Sequence, residues 1–409
     1  MIKKIIYNSG VQLLGKAVGI GFSVVATAIL TRKLGVNNYG QYLFIISFIN
    51  LLVAIASWGT QIIGVRELSR AKNKGVVFGS LFTLRFILAL IVSCFSVVVI
   101  FCSPAFIDIK KIALLSLPLV LFLITESTFG ILFQTFLKMD QKTIIDISAQ
   151  IVFFLVTLLL LKRGVLLMAP FVGWFAAKII AILIGQKKSR KLIDQKISIK
   201  KSTIRHLLIE SLPMGAQLIL FTAYDQAIDS FIIKSFLGAS QVAFYGLAYK
   251  IYRHLTLPAY FLANTIFPLL SKNKNDSFGR LLKIGFCLST VILIFIIPSV
   301  IIFDRPIIFT LAGKSFSPSI IVLKILTLTL FFSYFNHLAG FSLIAFNRQI
   351  DSLKISFAAL FWNLILNLIF IPRYGIIAAA WVTASTEALA AIISSFFLIR
   401  VVYNTKVNE

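Results

Sequence analysis

Apolar runs of about twenty residues, separated by short polar connections, recur from one end of this 409-residue chain to the other. The hydrocarbon layer of a bilayer is about 30 Å thick and takes roughly 20 helical residues to cross. Inside it, only a helix or a closed barrel satisfies its own backbone polar groups. That pattern restricts the chain to an all-α integral membrane bundle. With 59% hydrophobic and 13% charged residues, it lacks the polar surface that soluble domains of this length require. Met1-Ile2-Lys3-Lys4 ahead of the first run imitates a signal peptide, but no small-residue cleavage site closes that run. It reads as a retained first helix.

Windows bounded by charges or turn residues give about twelve spans: 9–31, 41–63, 77–101, 113–135, 144–161, 166–185, 209–232, 242–265, 282–303, 319–345, 353–371 and 376–399. The net charge of +26, from 40 Lys and Arg against 14 Asp and Glu, would suggest nucleic acid in a soluble protein. Here the basic residues crowd the short connections, where they set topology and meet anionic lipid headgroups. One alternate set of connections holds 24 of them and the other 10. The positive-inside rule then puts both termini in the cytoplasm of a multi-pass protein. No partnership with nucleic acid is expected.

The longest basic connection, 187–206, divides a six-helix lobe at 1–186 from a second at 207–400, followed by a tail at 401–409. A short repeat supports two matched halves. Leu34-Gly35 precedes Tyr39-Gly40 after the first span, and Leu237-Gly238 precedes Tyr245-Gly246 after the seventh. In each, glycine suits the residue that ends a helix in a left-handed conformation. Six spans per half make the repeat parallel, and folds of that kind hold their substrate between the halves near the midplane.

The segment Asn8-Ser9-Gly10, Leu30-Thr31-Arg32-Lys33-Leu34-Gly35, Tyr39-Gly40-Gln41-Tyr42, Gly59 and Arg66-Glu67 resembles the start of Wzx-type flippases. These are polysaccharide transporters of the multidrug/oligosaccharidyl-lipid/polysaccharide (MOP) superfamily. Val36 stands where typical members carry proline. The resemblance implies a V-shaped, two-lobed transporter of the MATE/MurJ kind. It also implies transfer of an undecaprenyl-pyrophosphate-linked oligosaccharide, such as an O-antigen repeat unit, to the periplasmic leaflet of a bacterial inner membrane. Polysaccharide polymerase machinery is the implied protein partner.

Ionisable groups in hydrocarbon cost at least a few kcal/mol, so each one on a span calls for a partner or an aqueous cavity. The candidate substrate-binding cations are Lys16, Arg85, Lys178, Lys250 and Arg253. Lys16, Arg85 and Lys178 each lie about eight residues, or roughly 12 Å, from the cytoplasmic end of their span. Together they suit a floor for pyrophosphate, with Arg a bidentate donor and Lys a point charge. The same positions also suit side chains that snorkel to the interface, as does Lys324.

The candidate gating or coupling acids are Glu126, Asp225, Asp229 and Glu387, with Glu210 near an entrance. Glu126 is expected to counter Arg85 or Lys16. Asp225 and Asp229, four apart, share a helix face, and an Asp225–Lys250 pair is expected to leave Arg253 freer for substrate. Asn363 and Asn367 share a face too, and Asn336-His337 interrupt span ten. Such groups commonly bond between helices.

No Gly-rich phosphate loop, hydrolase elbow or zinc spacing occurs, and Cys94, Cys102 and Cys287 form no ligand pattern. No catalytic residue, metal site or cofactor is expected, only possible coupling to H+ or Na+. Two alternatives stand beside the flippase. A cation-coupled multidrug exporter of the same superfamily would favour acids over the cations that predominate here. A polytopic glycan polymerase or ligase would need a large external loop.

Overall fold

Helix α1 (Ile2–Ser57) is 56 residues long, about 84 Å at 1.5 Å per residue and far too long for one crossing. Gly35, at φ 72° and ψ 175°, divides it into two arms. The last helix has the same construction: it runs from Gln349 to Val407 and is divided at Gly375. The computed structural model describes the backbone of residues 2–193, 195–272, 277–346 and 348–407, with side chains at 15–266 and 279–400 apart from 194, 226, 347 and 349. Asn8-Ser9-Gly10, Lys3, Lys4, Asp194, Lys272, Lys274 and the expected tail at 401–409 therefore lie outside the described side chains.

Between the two long helices come α2 (Thr60–Arg70), α3 (Lys74–Cys102), α4 (Lys110–Ser116), α5 (Pro118–Thr135), α6 (Met139–Lys162), α7 (Ala169–Ser189) and α8 (Lys201–Thr222). They are followed by α9 (Ile228–Leu237), α10 (Ala239–Leu255), α11 (Leu257–Lys272), α12 (Ser277–Ile302), α13 (Asp304–Ala312), α14 (Ser319–Ala345) and the last helix, α15. Among the described residues, nine helical stretches are long and apolar enough to cross a membrane. Two of these contain the divided helices α1 and α15. Taking their arms separately, and adding α10 with α11, accounts for each of the twelve sequence-expected spans.

The chain forms two compact units, Met1–Thr222 and Ala223–Glu409. Their division falls at the end of α8, not in the basic connection 187–206. The reason is packing: α8 lies against α1, α2 and α3 of the first unit. Residues 195–200 of the basic connection run along the start of α3. Gln195 Oε1 accepts from the Lys74 amide (2.6 Å), Gln195 Nε2 donates to the Lys72 carbonyl (3.0 Å), and the Lys200 amide donates to Ser80 Oγ (3.0 Å). These bonds occupy backbone groups that a helix start leaves open.

In the first unit, α7 carries a buried stripe of Gly173, Ala177, Ala181 and Gly185, four residues apart. Small side chains there let α6 approach until Phe153 O is 3.0 Å from where a Gly173 Cβ would sit. In the second unit, α14 packs along α15, α10, α11 and α12, with Leu338, Ala339, Leu343, Ala390 and Leu398 in its core.

Gly35 and Gly238 have nearly the same backbone conformation, φ 72°, ψ 175° and φ 87°, ψ 177°. The repeat seen in the sequence is thus a repeated joint. It differs from the expected left-handed helical cap, because ψ near 180° with positive φ is open essentially to glycine alone. A Cβ at either position would meet nothing within 4 Å. The cost of Gly35→Ala or Gly238→Ala is therefore conformational, about 1–3 kcal/mol each. Thermal unfolding in detergent is expected to show that loss in both variants, and an unshifted transition would remove the argument.

Candidate functional site

Arg85, midway along α3, is 1% exposed. Its guanidinium donates to Thr60 Oγ1 (2.9 Å), at the start of α2, and to Ser127 Oγ (2.6 Å) on α5. Its Nε has no hydrogen-bond partner among the described residues. Next to Ser127 in sequence, Glu126 meets two ammonium groups. Its Oε1 is 3.5 Å from Lys142 Nζ on α6 and its Oε2 is 3.3 Å from Lys178 Nζ on α7. Lys142 also takes both oxygens of Asp146, one turn along α6, at 2.9 and 3.0 Å. Lys178 lies 5.5 Å from the centre of the Trp174 ring, and that indole donates to the Tyr42 hydroxyl (3.3 Å). Three cations and two carboxylates from four helices therefore share one region of the first unit.

Sequence reasoning named Arg85, Glu126 and Lys178 and missed Lys142 and Asp146. Lys142 falls at the edge of the expected span 144–161 and so counted with the connection before it. The structure begins α6 at Met139, which brings Lys142 inside the helix. The Lys-x-x-x-Asp spacing, one helical turn, was the available signal. The expected role of Glu126 as a counter-ion extends to cations other than those expected. Glu126 bonds Lys142 and Lys178, whereas Arg85 is within its electrostatic reach and bonds hydroxyls instead. Lys16 lies exposed on α1, beside the Gly15–Thr143 approach of α1 to α6.

The second unit has a different polar centre. A π-helical turn, Ala223–Ala227, joins α8 to α9 and carries Asp225. Asp225 accepts from the Tyr249 hydroxyl (2.6 Å) and pairs with Arg253. The expected Asp225–Lys250 pair is thus replaced by Asp225–Arg253. Tyr249 and Arg253 are four apart and share a face of α10, while Lys250 is turned about 100° from Tyr249. Lys250 is half-buried.

Asp229, 1% exposed, begins the next turn. Its Oδ1 accepts from Asn367 Nδ2 (2.6 Å), and its Oδ2 accepts from Thr383 Oγ1 (3.2 Å) and from the Tyr245 hydroxyl. Asn367 Nδ2 also donates to Asn363 Oδ1 (3.0 Å), and Asn363 Nδ2 to Thr386 Oγ1 (3.4 Å). The two aspartates four apart do meet two tyrosines four apart. Glu387 accepts from Asn336 Nδ2 (3.0 Å). Lys324, expected to snorkel, pairs with Asp304 at 3.1 Å.

A third feature joins α2 to α8 within the first unit. Trp58 and Gly59 both take positive φ, 48° and 68°, between α1 and α2. The Trp58 indole donates to the Leu208 carbonyl (3.0 Å). Arg66 pairs with Glu210 (2.8 Å) and with Glu67 (2.9 Å), and His206 Nε2 lies 3.5 Å from Glu67. Gly59, Arg66 and Glu67 of the sequence motif, with Glu210, all lie at this seam.

Comparison with known proteins places these features in a wider set. The family described as polysaccharide biosynthesis protein matches residues 1–274. An uncharacterized membrane protein of Methanocaldococcus jannaschii is 29% identical over 287 residues, 66% of this chain and 67% of that protein. The probable low-salt glycan biosynthesis flippase Agl15 of Haloferax volcanii is 27% identical over 175 residues. That match covers 42% of this chain and 37% of the flippase's own length.

Among solved structures, the lipid II flippase MurJ in its inward closed conformation superposes with a TM-score of 0.77 at 17% identity, covering 98% of this chain and 91% of that one. An inward-facing multidrug resistance MATE family transporter of the MOP superfamily gives 0.73 at 12% identity, covering 94% of each chain. The fold is therefore shared over nearly the whole length. With residues 1–274 matched to it, this chain belongs to the polysaccharide biosynthesis protein family and is built on the MOP-superfamily transporter fold.

Proposed function

We propose that the protein is a flippase for a polyprenyl-diphosphate-linked oligosaccharide, undecaprenyl pyrophosphate being the bacterial carrier, and that it works by alternating access. The observation that carries this reading is the pair Arg85 and Lys178, held inside the apolar bundle of the first unit at 1% residue exposure and 13% side-chain exposure. Cations at such depth are costly to a fold. They are useful to a transporter whose cargo has an anionic headgroup that hydrocarbon excludes. In this reading Lys178 contacts phosphate, Arg85 supplies a fixed field, and Lys16 on α1 meets the headgroup earlier. Within the second unit, half-buried Lys250 is the cation this reading leaves available to an anionic headgroup, Arg253 being paired with Asp225.

The acids Asp225, Asp229 and Glu387 are assigned to coupling with H+ or Na+. The uneven distribution of Lys and Arg among the connections supports cytoplasmic termini and cargo entry from the cytoplasmic face. An O-antigen or related surface-glycan repeat unit, later taken by polymerase machinery, is the cargo this reading favours. A probable glycan biosynthesis flippase among the relatives and a lipid II flippase among the fold neighbours support that class.

Deletion of the gene is expected to leave the lipid-linked oligosaccharide in the leaflet where it is made, which identifies the cargo. Lys178→Met in proteoliposomes should slow translocation of that cargo by about tenfold or more, since a charge-assisted bond to phosphate is worth roughly 1.5–3 kcal/mol. Stability should change little, because Lys142 still faces Glu126. Translocation at the wild-type rate would remove Lys178 from the site.

A further inference from the structure

We infer that Glu126 is an internal counter-anion standing in the place of the cargo's diphosphate, and that Lys142 is a second phosphate-binding lysine that this carboxylate releases on binding. The inference rests on the proposed flippase reading and deepens it. Glu126 spans two ammonium groups on two different helices, one from each carboxylate oxygen, at 3.5 and 3.3 Å. Both distances exceed the roughly 2.7–2.9 Å of a tight charge-assisted bond. Lys142 has its tight partner elsewhere, in Asp146 at 2.9 and 3.0 Å. The glutamate is thus loosely held on both sides.

Arg85 adds to the same positive region without being able to follow an anion. It is buried and tied to Thr60 and Ser127. A diphosphate carries oxygens on two phosphorus atoms and can meet two ammonium groups on opposite sides at once. Glu126 makes that same bridging pattern with one negative charge.

In the empty state the carboxylate pairs Lys178, which would otherwise be a strongly unfavourable bare charge inside the bundle, and adds a second anion to Lys142 beside Asp146. When the cargo enters, one anion replaces another and the lysines are never left bare. An ordinary phosphodiester headgroup, with a single charge, gains little by displacing a carboxylate of equal charge. A diphosphate gains more. The arrangement therefore selects for headgroup charge as well as admitting it. Asp146, with 41% of its side chain exposed, stays behind to hold Lys142 in position.

The test uses the full-length protein in phosphatidylcholine nanodiscs, with inorganic pyrophosphate titrated by calorimetry. Glu126→Gln removes the competing charge and keeps the shape, so pyrophosphate should bind roughly five- to tenfold tighter than to wild type. Lys142→Gln should bind it more weakly by a similar factor. If Glu126→Gln does not fold, Glu126→Asp, one methylene shorter and able to reach only one lysine, should bind about two- to fivefold tighter.

Equal or weaker binding to the Glu126 variants, with wild type binding measurably, overturns the stand-in role and leaves the flippase reading intact. No binding by any of the proteins overturns both. Loss of the Glu126→Gln signal when phosphatidylglycerol replaces phosphatidylcholine would mean that a common anionic headgroup takes the site, which overturns the diphosphate assignment.

Discussion

Gly59→Ala is expected to cost roughly 3–5 kcal/mol, combining positive-φ strain with overpacking against backbone. A Cβ at Gly59 would stand 2.4 Å from the Gly215 amide nitrogen and 2.8 Å from both Met214 C and Ser211 O. From the other side, a Cβ at Gly215 would stand 2.8 Å from Trp58 C and 2.9 Å from Trp58 O. Backbone atoms inside a helix cannot swing aside as a side-chain tip can, so α8 has to move away from α2. That movement strips the Trp58–Leu208 bond and the Arg66–Glu210 pair, both set by the same close crossing. Gly215→Ala should behave alike but more mildly, because its contacts are longer. Thermal inactivation of the purified variants is the measurement. Wild-type stability in Gly59→Ala would mean that α2 and α8 do not cross this closely.

How the sequence and the structure relate differs from feature to feature. The place and apolar character of the spans were legible because bilayer thickness imposes a length that can be counted. The Leu-Gly joints at Gly35 and Gly238 were legible as a repeat, though not their backbone conformation, since positive φ is compatible with more than one ψ. The pairing of intramembrane charges was only partly legible. Spacing indicated that Asp225 and Asp229 face one way, but which residue of α10 meets Asp225 depends on a helix rotation of about 100° per residue. Lys250 and Arg253 are three positions, and so only about 60°, apart around the helix, and a modest difference in rotation exchanges one for the other.

Lys142 was lost for a related reason: hydropathy places a span boundary only within a turn or so, and a charge there is counted outside. The left-handed Trp58 had no sequence signal. A bulky residue takes that conformation only when tertiary contacts hold it, here an indole bond to a helix 150 positions away. The packing of α8 on the first unit was hidden for the same reason, because long-range contacts decide it.

Asp229 permits the sharpest separation of a structural from a transport role. Asp229→Leu should cost about 2–5 kcal/mol, because Asn367 loses one acceptor and keeps only Asn363, and the Tyr245 hydroxyl keeps only Thr383 Oγ1, whose own proton has the Ala379 carbonyl, at roughly 1–3 kcal/mol for each buried group left short of a partner. Asp229→Asn should cost far less. The new amide oxygen can keep the two hydroxyls, and its NH2 would then face the NH2 of Asn367. Turning the Asn367 amide relieves that clash and turning Asn363 in the same sense restores the bond between them, at the cost of placing the Asn367 NH2 where its Oδ1 now stands without a partner among the described residues. Thr386 then faces Asn363 Oδ1 and can bond it by redirecting the hydroxyl proton that it now gives to the Val382 carbonyl.

The asparagine variant therefore keeps the network while losing the negative charge. If Asp229 binds the coupling ion, translocation by Asp229→Asn should fall at least about tenfold, comparable to losing one charge-assisted bond, and should no longer respond to a proton or sodium gradient. Both readouts are taken in proteoliposomes with the gradient imposed and then collapsed. A variant that folds and still responds to the gradient would assign the aspartate to packing between α9, α10 and α15 alone. The coupling role would then pass to Asp225 or Glu387, the other two candidate coupling acids of this unit, each bonded to a neighbouring helix.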